Sequence, residues 1–139
     1  MIGYPYLPNL QFQALYPSVS LLNWTTGDGT AKYWITKLLI DTADIDNDQA
    51  VITQTTDVNG TNVFSQAFVG KNNRRWVLII NKRYANFDVS LAGCTGGRMQ
   101  IINEASGLGP PTEVTLTSDT ITLTAYAIAI IHMPTGPVE

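Results

Sequence analysis

Asp44, Asp46 and Asp48 are the densest group of potential ligands in this 139-residue chain. Carboxylates at alternate positions open the loop of a helix–loop–helix calcium site. That loop also needs glycine at its sixth position for a sharp turn and glutamate at its twelfth as a bidentate ligand. Gln49 and Thr55 stand there instead. The run reads as a solvated acidic loop, with a loose calcium site at the three aspartates as the alternative, and no cofactor is expected. His132 is the only histidine and Cys94 the only cysteine. One histidine does not make a Ser–His–Asp relation, and one cysteine closes no internal disulfide. His132 ends an apolar strand and reads as a structural side chain. Cys94 sits in the glycine turn 93–97 and reads as a small buried thiol.

Three tryptophans could stack on sugar rings. Trp34 falls on a helix and Trp76 on an apolar strand, so both read as core. Trp24 precedes a turn and is the sugar-stacking candidate. Asn23-Trp24-Thr25 and Asn59-Gly60-Thr61 are glycosylation sequons, with Asn59 in an expected hairpin turn and Asn23 on an extended piece.

Composition narrows the partners. The formal net charge is −3 and charged residues make up 14% of the chain, against about 25% in an average globular protein. Nucleic acid is excluded as a partner, since phosphate binding needs clustered cations. The one basic cluster, Lys71, Arg74, Arg75, Lys82 and Arg83, flanks an apolar strand and reads as solvated strand ends. No apolar run approaches the length of a membrane span. Met1 to Pro5 lacks the basic start and apolar centre of an export signal. The neutral, hydroxyl-rich surface suits an extracellular or cell-surface protein.

The elements that must position these residues are mostly short strands. Residues 1–17 hold Pro5, Pro8 and Pro17, which exclude a helix. Within them Leu10, Phe12, Ala14 and Tyr16 alternate onto one face, as in a half-buried strand. This N-terminal segment is a candidate donor strand with its linker, ahead of a β-sandwich domain at 18–139. One helix is expected at 30–41, capped by Thr30, with Trp34, Ile35, Leu38 and Leu39 as its apolar stripe. Strands are expected at 50–56, 62–69, 75–81, 87–91, 99–104, 112–117, 120–123 and 126–132, with turn residues between them. The strands at 75–81 and 126–132 are apolar on both faces and belong at the centre of a sheet. The fold class is mainly β: an antiparallel, jelly-roll-like sandwich with one packed helix.

Residues 18–133 resemble the C-terminal region of family 39-like glycoside hydrolases. The resemblance lies in 33–41 (YWITKLLID), 63–68 (VFSQAF), 76–83 (WVLIINKR) and 119–129 (DTITLTAYAIA). It implies a helix that leads from a (β/α)8 barrel into an accessory sandwich. Ala125 stands where the family usually has proline, and the loop 42–48 departs from the family's proline–glycine–aspartate. The barrel itself takes about 250 residues, which this chain does not have. Retaining hydrolysis also needs two carboxylates facing each other across a sugar, whereas Glu104 begins a turn, Glu113 begins a strand and Glu139 is terminal. No catalytic residue is assigned, and the chain is not expected to be an enzyme.

Three readings of function follow. In the first, the chain is a structural protein that assembles head-to-tail into a filament, the strand from Leu10 to Tyr16 completing the next subunit's sandwich. In the second, it is a carbohydrate-binding or accessory module derived from a glycoside hydrolase, with glycans as partners. The third is a fragment of a working glycosidase.

Overall fold

The computed structural model describes residues 20–51 and 62–135. The candidate donor strand and Asn59 lie outside the described residues.

A small hairpin comes first, closed by a bridge between Leu22 and Gly29. Helix α1 (Ala31–Thr42) follows, one residue later than expected at each end. Thr30 occupies the N-cap position but does not cap through its side chain. Its hydroxyl donates instead to the carbonyls of Ser20 and Leu21, both at 3.1 Å, tying the helix to the hairpin. The strands are β1 (Gln49–Val51), β2 (Val63–Val69), β3 (Arg75–Asn81), β4 (Phe87–Ser90), β5 (Arg98–Ile102), β6 (Thr112–Thr115), β7 (Thr120–Leu123) and β8 (Ile128–His132). All pairings are antiparallel, in a six-stranded sheet of order β1-β2-β3-β8-β5-β6 and a two-stranded sheet of β4 and β7.

Strand periodicity separates two apolar layers. Val77 and Ile79 of β3, Met99 and Ile101 of β5, and Ala129 and Ile131 of β8 face the β4–β7 pair, where Ile121 and Leu123 close the core. Cys94 is fully buried in this layer. On the opposite face Trp76, Ile102 and Ile130 meet Leu38 of α1, with Trp34, Ile35 and Leu39 packed around them. Phe68 stacks on Trp76 at 4.0 Å between ring centroids. The large sheet is thus covered on both faces. That is why its central strands β3 and β8 lack a polar side, as the sequence pattern implied. The fold is a β-sandwich with one packed helix.

One expected strand is wrong at its start. Tyr126 does not enter β8; it sits in a turn at φ 52° with its ring exposed. Ala127 N–H donates to the Thr124 carbonyl at 3.1 Å, closing that turn. The aromatic, apolar composition of 126–132 concealed it.

Candidate functional site

The helix-covered face of the sheet carries a row of side chains set by register. Phe68 of β2 pairs with Trp76 of β3, Trp76 with His132 of β8, and His132 with Arg98 of β5. The apolar half of the row lies under α1. The polar half opens into a cleft of about 380 Å³ between α1 and strands β5 and β8, lined by Trp34, Lys37, Asp41, Arg98, Gln100 and His132 among others.

The charged side chains that line this cleft are each paired. Lys37 donates to Asp41 at 2.7 Å, one helical turn away, and that bond raises the lysine's pKa. Arg98 meets Glu113 across β5 and β6 at 3.2 Å. His132 Nε2 lies 3.4 Å from Gln100 Oε1. Burial, and then the positive charges of Arg98 and Arg74, hold His132 below its ordinary pKa, so it is neutral at neutral pH.

The three aspartates of the acidic loop do not converge on a cation position. Asp44 accepts from the Asn47 side chain at 2.8 Å. Asp48 has turned inward: its side chain is only 4% exposed, and it accepts from Arg74, the Trp76 indole and the Asp44 N–H. Burial alone would raise its pKa, but those donors outweigh it and hold the carboxyl below the usual range. Among the described residues no three His, Cys, Asp or Glu side chains cluster as a metal site requires. Arg74 is therefore not merely a solvated strand end. Its second nitrogen, Nη1, donates to the Thr42 carbonyl at 2.8 Å, so one side chain holds the end of α1 and the loop after it against β3.

Trp24 is 53% exposed. Asn23 heads a turn, its side-chain oxygen accepting from Thr25 N–H at 2.9 Å, so its sequon does not sit in a buried strand. Glu104 opens a 3-10 turn (Glu104–Ser106) after β5, and Glu113 lies on edge strand β6. A second groove, of about 330 Å³, runs between α1 and the loops at 84 and 125–126, with Tyr84 and Tyr126 beside it. Sequence reasoning missed this groove. Its one linear signal was a pair of tyrosines at strand–turn boundaries.

No protein-family description and no curated protein sequence matches the chain. Solved structures do. A GH30 endoxylanase from Clostridium papyrosolvens matches with a TM-score of 0.59 and 15% identity, over 82% of this chain and 30% of that one. The fold is shared with a glycoside hydrolase. At that identity the likeness concerns architecture alone, and the chain spans less than a third of the enzyme it matches. The expected likeness to glycoside hydrolases holds at the level of fold; the matched structure is a GH30 enzyme, and it singles out neither family 39 nor its C-terminal region.

Proposed function

We propose that the chain is a non-catalytic accessory β-sandwich of glycoside-hydrolase type, whose helix side docks against a neighbouring domain or subunit. The observation that carries this reading is a set of exposed apolar side chains around α1. Ile40 is 70% exposed and Ile45 92%, and Leu22 and Trp24 are exposed on the hairpin before the helix. These side chains, on α1 and on the segments just before and after it, are the candidates for cover by a partner. Asp41 is the carboxylate that lines the polar cleft, and it holds a cation, as Glu113 does on β6; neither offers the free acid–base pair that glycoside cleavage needs.

The purified chain is expected to release no product from aryl glycosides or xylan. Ile40→Glu and Ile45→Glu should suppress self-association and binding of an apolar dye without lowering the melting temperature. Turnover abolished by Glu104→Gln or Glu113→Gln would overturn the reading, as would apolar-dye binding that both surface variants leave unchanged.

The filament reading is favoured by a different observation. β1 and β6 end the large sheet on its two sides, each with every residue exposed, and among the described residues no strand pairs with their outer sides. Open edges are templates for strand addition, and the alternating segment Leu10, Phe12, Ala14, Tyr16 has the pattern of a donor. Light scattering separates the two readings. Large particles that vanish on deleting residues 1–16, or on Phe12→Asp, favour assembly; small species in the intact chain favour the accessory module. Intact mass from a secretory eukaryotic host addresses the extracellular setting through sugar at Asn23 and Asn59.

A further inference from the structure

Tyr84 and Tyr126 stand on two adjacent loops with ring centroids 6.0 Å apart and planes inclined by 41°. They are 79% and 61% exposed, although side chains of this size are largely withdrawn from water in most folds. Their loops are fixed from below by one residue. Asn81 at the end of β3 is buried, and its Nδ2 donates to the carbonyls of Ala85 at 2.7 Å and Thr124 at 2.8 Å. Its Oδ1 accepts from Arg83 N–H at 2.9 Å. Tyr126 N–H in turn donates to the Arg83 carbonyl at 3.0 Å. The two rings are therefore presented by a braced pair of loops.

Tyr126 also holds a backbone conformation, φ 52°, that glycine adopts freely and a tyrosine adopts at a cost. A tyrosine kept in such a place, with its ring turned to solvent, points to a use for the ring. Beside the pair runs the apolar groove, floored by Ile102 and Ile128 with Ile35 of α1 on its wall and Glu104 at its rim.

We propose that this groove and its tyrosine pair bind a neutral pyranose unit of a polysaccharide. A sugar ring offers an apolar C–H face that matches the electron-rich face of an aromatic ring. Its hydroxyls need acceptors and donors at the edge of that contact, which the Glu104 carboxylate and the tyrosine hydroxyls supply. Charge selects in the same direction: with Glu104 at the rim and a chain charge of −3, a phosphate or an acidic sugar is repelled. Tyrosine gives a large amphipathic contact with few rotatable bonds, and bracing by Asn81 removes most of the ordering cost. The proposal does not depend on the accessory reading; it needs only that the groove at Tyr84 and Tyr126 stays open to solvent.

The test is affinity electrophoresis of the intact chain in gels containing xylan, mixed-linkage β-glucan or glucomannan, with backbone-amide NMR titration by the matching hexasaccharides. At least one polysaccharide should retard the protein, and amide shifts should cluster at 82–86, 102–107 and 124–128. Tyr84→Ala should weaken binding about tenfold, the worth of one stacked ring. Tyr126→Gly is the sharper variant: it removes the ring while suiting the positive φ, so it should melt no lower than the parent and still lose binding by about tenfold. No retardation in any of the three gels would overturn the proposal. So would retardation that Tyr84→Ala and Tyr126→Gly leave unchanged, which would put the sugar elsewhere, Trp24 being the next exposed ring.

Discussion

Arg74 places one guanidinium nitrogen 2.7 Å from each oxygen of Asp48. The carboxylate is almost wholly buried while the arginine remains 38% exposed. Arg74→Ala would leave a buried charge with only the Trp76 indole and the Asp44 N–H. Breaking a buried pair costs about 3–5 kcal/mol; the exposure of Arg74 lowers the expectation to about 2 kcal/mol. Urea unfolding measures it, and a change below about 0.5 kcal/mol would reduce the pair to an ordinary surface contact.

Gly70 lies against this same carboxylate. A Cβ there would collide with Asp48 Oδ1, and the Gly70 N–H is bonded to the Arg74 carbonyl at 2.8 Å. Gly70→Ala should therefore destabilise by about 1–3 kcal/mol, and adding Asp48→Ala should cost less than the sum of the two single changes. Strict additivity in a double-mutant cycle would show that the two residues do not compete for this space.

Asp119 sets the acid response. Its carboxylate accepts from the Thr95 hydroxyl at 2.6 Å and from the N–H groups of Gly93 and Thr95 at 2.9 Å, and these hold its pKa down at about 2 against an ordinary 3.8. A carboxyl whose pKa is depressed on folding contributes stability that is fully present above its unfolded pKa and is lost as pH falls through the folded one. The parent chain should therefore out-melt Asp119→Asn at pH 6, and the gap should close between about pH 4 and 2. Melting curves across that range check it; a gap that stays constant would remove Asp119 from the acid response.

Thr124 supplies a gain. Its hydroxyl oxygen is buried without a hydrogen-bond partner, and such a group costs about 1–3 kcal/mol. Thr124→Val keeps the shape and should raise stability by about 1 kcal/mol. A fall in melting temperature would mean that the hydroxyl is paired in solution.

Cys94 should be silent in the native chain. It is fully buried, with Sγ 3.6 Å from the Ser118 carbonyl, and burial followed by the charge of Asp119 raises its pKa. An aromatic disulfide reagent should label it only in denaturant; rapid labelling of native protein at pH 7 would contradict the burial.

What the sequence disclosed and what it withheld divide along sequence distance. β3 was legible to the residue because seven consecutive positions, Arg75–Asn81, carry their own pattern, and its burial on both faces showed as the absence of a polar side. Helix α1 was legible from the 3–4 spacing of Trp34, Ile35, Leu38 and Leu39. The inward turn of Asp48 was not, because its partner Arg74 is 26 residues away and nothing local separates a buried aspartate from a solvated one. The tyrosine groove needs α1, the 3-10 turn after β5 and two loops at once. Tyr126 was misread because aromatic residues before an apolar run look like strand, and only the tertiary bracing from Asn81 puts it in a turn.

The order of the large sheet dictates how the molecule can come together. β8, the last of the described strands, lies between β3 and β5, pairing His132 with Trp76 on one side and Arg98 on the other. Until Ile128–His132 arrives, the β1–β3 meander and the β5–β6 hairpin are two separate ribbons, each with a bare apolar flank. The sheet closes by threading its own keystone across separations of 48 (Ile80–Ile128) to 56 (Trp76–His132) residues, and such distant pairing slows folding. A chain cut before Ile128 would keep most of its strands and still have nothing to join them, leaving two sticky edges exposed to other chains.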